Sequence, residues 1–510
     1  MANIFKEIKT ESSVPTYKYL VEGEWQESRN RKLINIFSPI DGSLLGRIQA
    51  VLPREADIAV TGAAMAQTSW ASLSPSKRNA ILAKTVSLIL TNKDFLAKLL
   101  IKEIGKLKRD AEAEIDHAVY VIKETLKEKW QEKLTLKTGK SSCEITRQPL
   151  GVVLCITPFN YPIYTACTKI VPALISGNSV VLKPSVFGSI SMLHFIQLFK
   201  KAGVPAGALN VITGRGDEIG RYLAQHDLIN MLSFTGSSKV GRKIAERAKM
   251  VSMTLELGGK DPAIVLKDAD LSEAASEIAE GAFAYAGQRC IAIKRVIAEE
   301  KIKDELVEKI KEMVLKKFGI VGDPRNEKTQ LGPVISDQQA DYLEKLLKDA
   351  FKKGARVVLG GRRFAAVPLK MRLRRRILEI PKRLIRLRRG NGRYWEATVL
   401  DNVTPSMRIA WEEQFGPILP ILSVKNAEEA VKLANASEYG LDAAIFTSSH
   451  KKAQELAEKL EVGQVFINTR PHRAPDQLPF TGVKASGLGT QGIKYSILSM
   501  TRPKMLRRDV

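Results

Sequence analysis

The stretch Ala284-Tyr-Ala-Gly-Gln-Arg-Cys-Ile-Ala-Ile-Lys-Arg-Val296 sets one thiol, Cys290, between a small-residue run, Gly281 to Gly287, and a β-prone run, Ile291 to Ile297. Junctions between elements present reactive groups, and Arg289 beside the thiol brings positive charge that favours the nucleophilic thiolate. The same residues also read as a small buried hydrophobe among Ala, Ile and Val. In Thr157-Pro-Phe-Asn-Tyr-Pro162, Asn160 follows an apolar strand, where its amide can donate to an oxyanion. It is equally a turn before a helix. In Leu255-Glu-Leu-Gly-Gly-Lys260, Glu256 lies between leucines and beside two glycines that permit close backbone approach. It can act as a general base or lie at a solvated strand edge. A thiol, an amide donor and a carboxylate are the groups needed to attack a carbonyl carbon and then release the product.

A second set of residues suits phosphate. Gly214-Arg-Gly-Asp-Glu-Ile-Gly220 and Phe234-Thr-Gly-Ser-Ser-Lys-Val-Gly241 each follow a strand and open a helix, an arrangement that offers free N–H groups to an anion. Neither is the dinucleotide fingerprint, because the first spaces its glycines as GxGxxxG and no acid follows at the expected distance. With Lys183 closing Val180-Val-Leu-Lys-Pro184, the pair points to a nucleotide site.

The elements that must position these groups alternate. Short strands are expected over 17–50 and helices from Pro53 to about Leu134, where apolar residues recur at spacings of three and four. Two-sided apolar runs follow at Gly151–Ile156, Ser179–Lys183, Ala208–Ile212, Met231–Phe234 and Ala263–Leu266, separated by helical stretches. That rhythm predicts an α/β protein with a doubly wound parallel sheet. A further strand set at 355–359, 397–400, 418–424 and 443–446 predicts a second α/β domain with Cys290 near its start.

At 510 residues the chain exceeds one ordinary core, and 44% apolar with 26% charged residues is a globular composition. Its four cysteines, Cys143, Cys155, Cys167 and Cys290, have no CxxC spacing, so a reducing compartment is expected and no metal site is predicted. Neither a signal peptide nor a membrane span is legible, and the expected location is cytoplasmic. The net charge of +25 suits phosphorylated metabolites, nucleic acid or anionic lipid.

Four motifs in order, TPFNYP, LELGGK, GQRC and Trp411-Glu-Glu-Gln-Phe-Gly-Pro417, resemble the aldehyde dehydrogenase superfamily over most of the chain. The resemblance implies a Rossmann-like cofactor domain (1–131 and 151–258), an α/β catalytic domain (259–485), and a small β oligomerisation element (132–150 and 486–510). Cys290 then attacks the aldehyde to give a thiohemiacetal, Asn160 and the Cys290 N–H hold the oxyanion, and Glu256 activates the water that cleaves the thioester. Lys183 looks like the adenosine-ribose lysine, Gly236 and Ser237 like the pyrophosphate turn, and Glu413 with Phe415 like the nicotinamide pair. Thr157, Phe159, Gly216, Gly220, Thr235 and Leu257 complete the implied cofactor contacts. NAD-preferring members carry Glu three residues after the lysine; Val186 stands here, so NADP is expected, with NAD also accepted.

Within the superfamily, PFNYP, GQRCIAIKRV and the tail Arg473-Ala-Pro-Asp-Gln-Leu-Pro-Phe-Thr-Gly are similar to members that oxidise D-glyceraldehyde 3-phosphate without phosphorylating the product, a glycolytic reaction of cytoplasmic homotetramers. Arg289, Arg473 and Tyr161 match the phosphate-binding residues of that group, and Asn160 also meets the substrate. The arginine expected near 117 is His117. A broader aldehyde dehydrogenase acting on semialdehydes or glyceraldehyde is the alternative.

One segment departs from the rhythm. Residues 362–393 carry thirteen Lys or Arg against one acid, Glu379. Leu373, Ile377, Ile380, Leu384 and Leu387 would line one face of a helix interrupted by Pro381. Such an insertion reads as a solvated excursion, a local irregularity of the sequence, or an arm for anionic lipid or nucleic acid on a dehydrogenase scaffold.

Overall fold

The computed structural model describes residues 4–131, 133–138, 141–364, 392–473 and 475–509. Two large sheets dominate. The first has eight strands in the order Gly487–Leu488, Ser252–Glu256, Ile229–Thr235, Val152–Ile156, Ser179–Lys183, Leu209–Val211, Tyr19–Val21 and Glu24–Gln26. Its five inner strands, from Ser252–Glu256 to Leu209–Val211, are mutually parallel. Such strands must be apolar on both faces. Val152–Ile156 and Ser179–Lys183 accordingly carry no exposed residue.

The chain order reverses between Val152–Ile156 and Ile229–Thr235, which are neighbours although two strands intervene in sequence. This switch point opens a crevice at the strands' carboxyl ends. Thr157 and Gly236 stand on its two sides. The helix Pro162–Ile175 backs the sheet with every one of its residues buried, as an all-round apolar helix requires.

The second sheet runs Arg356–Leu359, Thr398–Asp401, Ile418–Val424, Arg295–Glu299, Pro262–Val265, Asp442–Phe446, Gln464–Ile467, with all but the first strand parallel. Thr501–Asp509 pairs antiparallel with Ser141–Pro149, which pairs with Leu134–Thr138 in a separate three-stranded sheet. Four helices, Pro53–Ser72, Pro75–Thr91, Lys93–Ile104 and Lys108–Lys127, precede it. The fold is therefore the mixed, doubly wound α/β class expected. Among the described residues no helix is long and apolar enough to cross a membrane.

The β-prone run Ile291–Ile297 is corrected. The strand is Arg295–Glu299, and residues 291–294 are turns and loop. Their backbone is claimed elsewhere: Ile293 N–H donates to Gly281 O at 3.0 Å and Lys294 N–H to Asp261 O at 2.9 Å. The expected helix across Leu373–Leu387 lies outside the described residues.

Candidate active site

Cys290 ends a loop whose shape is forced just upstream. The helix Leu271–Phe283 stops, and Tyr285, Ala286 and Gly287 follow with φ of 51°, 53° and 67°. Two consecutive non-glycine residues in the left-handed region are costly and persist where surrounding contacts over-determine them. Gln288 supplies such contacts: it is fully buried, its Oε1 accepts from Ile335 N–H at 2.9 Å, and its Nε2 donates to Pro333 O at 3.3 Å. At Gly287 a Cβ would stand 2.5 Å from Gly416 O, so only glycine lets the loop lie against the 411–417 motif.

Cys290 is half-buried. Burial, then the Glu256 carboxylate that accepts from the thiol, pushes the thiol well above its ordinary range; Lys294 and Arg473 are the strongest cations pulling it back. The expectation that Arg289 supplies this charge is corrected. Arg289 Nη2 donates to Gly281 O at 2.5 Å and Glu280 O at 3.3 Å, so the side chain turns away along the preceding helix. Its buried Nε has no hydrogen-bond partner among the described residues.

Glu256 closes the strand Ser252–Glu256 and is 4% exposed, held in the interior between Ile229–Thr235 and Gly487–Leu488 rather than at a solvated edge. One carboxylate oxygen, Oε1, has no partner among the described residues. Asn160 is buried, and its Nδ2 donates to Gln288 O at 2.9 Å. The structure thus brings Cys290, Glu256 and Asn160 onto one loop surface from three separate segments.

The cationic side of this centre is layered. Arg473 Nη2 donates to Gln491 Oε1 at 2.6 Å, and its guanidinium lies 4.1 Å over the Phe480 ring. Tyr161 sits under Lys106 Nζ, 3.5 Å from the ring centroid, and feels the charges of Arg289 and Cys290. His117 Nε2 lies 2.5 Å from Asp476 Oδ2, and its ring stacks on Tyr164 at 4.3 Å. Tyr164 O–H donates to the other oxygen of Asp476 at 2.5 Å. His117 therefore joins a carboxylate and a phenol where a free arginine was expected.

The cofactor candidates gather at the switch point. Thr157 Oγ1 and Thr235 Oγ1 are buried with no hydrogen-bond partner among the described residues. Among the described residues Lys183 Nζ donates to Pro184 O at 3.3 Å, and burial pushes its ammonium down to about 8. Gly236 N–H donates to Glu256 O at 3.1 Å, and Ser237 precedes the helix Ser238–Arg247. Leu257 fills the space above Gly241, where a Cβ would come within 2.3 Å. Across the crevice Glu413 accepts from Gly259 N–H at 3.1 Å. Phe415, with φ of 46°, places its ring 5.9 Å from Phe159. Gly216 and Gly220 form a wide turn, Gly216–Gly220, where an added Cβ meets nothing within 4 Å among the described residues. Orphaned hydroxyls, a cation and a helix start are what a phosphorylated dinucleotide needs, so these residues fit one.

Several site residues had no motif to announce them. Tyr164 and Asp476 lie three residues beyond Tyr161 and Arg473, a spacing that puts Tyr164 on the face of a helix next to Tyr161. Glu114 Oε1 accepts from Ile163 N–H at 2.9 Å and Tyr164 N–H at 3.2 Å, capping the helix behind Asn160.

The aldehyde dehydrogenase family model matches residues 25–371 and 380–506. The chain is 41% identical to an NADP-dependent glyceraldehyde-3-phosphate dehydrogenase of Streptococcus equinus, covering 97% of this chain and 99% of that protein. It is 39% identical to one from Arabidopsis thaliana, covering 96% and 94%. A crystal structure of the NADP-dependent enzyme of this name from Bacillus halodurans C-125, complexed with NADP, superposes with a TM-score of 0.89 at 42% identity, covering 96% of this chain and 99% of that one. With the motifs, the two sheets and these likenesses in agreement, the chain belongs to the aldehyde dehydrogenase family.

Proposed function

We propose that this chain oxidises D-glyceraldehyde 3-phosphate to 3-phosphoglycerate with NADP, without forming an acyl phosphate. The observation that carries the reading is a nucleophile candidate with a carboxylate on one side and half-buried arginines around it: Arg473 acts on Cys290 and Glu256, and Arg289 on the adjoining Tyr161. In this mechanism Glu256 takes the thiol proton and the Cys290 thiolate bonds to the aldehyde carbon. Asn160 and the Cys290 N–H hold the oxyanion of the thiohemiacetal. When bound, the nicotinamide supplies the hydride acceptor that turns this adduct into a thioester. Glu256 releases that proton to solvent and then removes a proton from water, which attacks the thioester carbon; as the adduct collapses, Glu256 returns this second proton to the sulfur and Cys290 leaves as the thiol. Arg289, Arg473, Tyr161 and Asn160 hold the substrate, with the phosphate toward the arginines. Thr157, Phe159, Lys183, Gly216, Gly220, Thr235, Gly236, Ser237, Leu257, Glu413 and Phe415 hold the cofactor. Val186 leaves room for a 2′-phosphate without an opposing carboxylate.

The reading extends to assembly and place. Residues 1–131 with 151–258 form the cofactor domain and 259–485 the catalytic domain. The three-stranded sheet serves oligomerisation, as its exposed Leu134, Leu136, Met505 and Leu506 support; the assembly is a homotetramer. Free cysteines suit a cytoplasmic, glycolytic enzyme.

One observation favours a second reading, oxidation of unphosphorylated aldehydes: His117 is engaged with Asp476 and brings no free arginine to the substrate. One assay separates them. Full-length enzyme is given glyceraldehyde 3-phosphate, glyceraldehyde or succinic semialdehyde, with NADP or NAD and without inorganic phosphate. The proposal expects kcat/KM for the phosphorylated substrate at least about 100-fold higher, matching two charge-assisted contacts, and 3-phosphoglycerate as product. Equal use of glyceraldehyde overturns the phosphate assignment, and a strong NAD preference overturns the cofactor assignment.

A further inference from the structure

Beneath the nucleophile loop lies a charged cluster whose lysine and two aspartates the proposed chemistry leaves without a task. The Lys294 side chain is 1% exposed, and its Nζ donates to the main-chain carbonyl of Cys290. The same Nζ is 3.4 Å from Ala292 O, 3.4 Å from Glu413 Oε1 and 3.9 Å from Asp261 Oδ2. One cation thus touches the nucleophile's own peptide, the carboxylate on the cofactor side and a buried acid. Asp261 has a neighbour in Asp442, whose N–H points to Asp261 Oδ1 at 3.4 Å. Both oxygens of Asp442 and Oδ2 of Asp261 are buried with no hydrogen-bond partner among the described residues.

This geometry restricts the charges. Two neighbouring buried carboxyl groups do not both ionise readily beside one ammonium. Burial pushes Asp261 up against the pull of Lys294, and burial followed by the charge of Asp261 pushes Asp442 well up. Asp442 is thus the first of the group to hold a proton, and Asp261 and Glu413, both also raised by burial, are the carboxyl groups that face Lys294. The other charged groups around the cluster have their own partners. Lys260 donates to Glu412 O and to Gln414, and Arg295 to Lys260 O and Ala434 O. Glu256 and Arg473 act on the thiol itself.

We propose that Lys294 is a positioning residue for the nucleophile: its ammonium fixes the loop through the Cys290 carbonyl and supplies, from below, the positive charge felt by the thiol, with Asp261 as its counterion. The inference rests on the reading of Cys290 as nucleophile. It also explains why 291–294 cannot join the strand that follows, since the carbonyls of Cys290 and Ala292 turn inward to a side-chain donor. Lys294 is the first cation among those acting on the thiol, ahead of Arg473.

The test is iodoacetamide alkylation of the full-length protein without added cofactor, from neutral to alkaline pH. Mass analysis of the Cys290 peptide keeps Cys143, Cys155 and Cys167 out of the count. Lys294→Met is expected to move the alkylation midpoint up by about one pH unit, slowing the reaction about tenfold near neutral pH; Lys294→Arg should restore most of the difference. Asp261→Asn, which removes the counterion, should move the midpoint down and speed the reaction. Asp442→Asn, isosteric with the protonated acid, should leave it in place. A Lys294→Met midpoint equal to that of the parent overturns the inference. If that variant does not fold, Asp261→Asn decides, and an unchanged or raised midpoint overturns the inference equally. Failure of the underlying reading has a different signature, namely turnover that survives Cys290→Ser.

Discussion

At the scale of single residues, Arg289 and Arg473 divide a task that the sequence presents as one. Arg289 adjoins the thiol in the chain, yet its guanidinium binds the carbonyls of Gly281 and Glu280; Arg473, far away in sequence, is the arginine that acts on the thiol. Adjacency in sequence did not predict adjacency in charge, because the left-handed turn at Tyr285–Gly287 aims successive side chains in different directions. Arg289→Met is therefore expected to leave thiol reactivity nearly unchanged while lowering kcat/KM for glyceraldehyde 3-phosphate about 10- to 100-fold, the loss of one charge-assisted anion contact. Turnover of unphosphorylated glyceraldehyde should fall less than about threefold. Equal losses on both substrates would return Arg289 to a role at the thiol. Cys290, Glu256 and Asn160 were legible because each sits in a motif whose neighbours restrict its environment. Lys294, Asp261 and Asp442 were not, since they come from three segments and none has a chemical reason to be singled out until their side chains meet.

At the scale of elements, alternating apolar runs made the parallel sheet readable, because strands buried on both faces have little freedom in composition. Boundaries were less readable where side chains compete for backbone groups, as at 291–294. The buried pair Lys106–Glu114 shows what such competition costs. Both side chains are wholly buried and in contact. Glu114 caps the helix Pro162–Ile175, and Lys106 presses on the Tyr161 ring. Glu114→Ala would strand a buried ammonium and two helix N–H groups. It should cost about 3–5 kcal/mol, read as a lowered urea midpoint and faster hydrogen exchange in 162–175. The double variant Lys106→Met/Glu114→Gln keeps an acceptor for Ile163 and Tyr164 and removes both charges. It should recover more than half of that loss, because a buried ion pair gains little over neutral groups that fill the same space. A double variant as unstable as Glu114→Ala would mean that the ion pair itself, rather than the cap, holds the loop carrying Asn160.

At the scale of the whole molecule, the sequence leaves one large charge unassigned. Of the thirteen basic residues in 362–393, Arg362, Arg363 and Arg393 reach acids of the folded body: Glu396 at 2.6 Å, Asp341 at 2.6 Å and Asp337 at 3.1 Å. The remaining ten belong to 365–391, whose sequence holds one acid, Glu379. The two ends of this stretch are already neighbours, for Phe364 pairs with Tyr394 and Arg363 with Trp395 in an antiparallel ladder. Joining Phe364 directly to Gly392 leaves Gly392 and Arg393 as a two-residue loop, the shortest common hairpin, with glycine at a position that tolerates positive φ. Deleting 365–391 is therefore expected to preserve the fold and to hold kcat/KM within about twofold of the parent. If the segment is an arm for polyanions, the full chain should be retained on heparin or on anionic vesicles at low salt and released as salt rises, and the deletion variant should pass through. Absence of retention by the full chain removes the arm from consideration. Retention that survives the deletion moves the polyanion surface onto the folded body, and a collapse in kcat/KM would instead tie 365–391 to the catalytic activity.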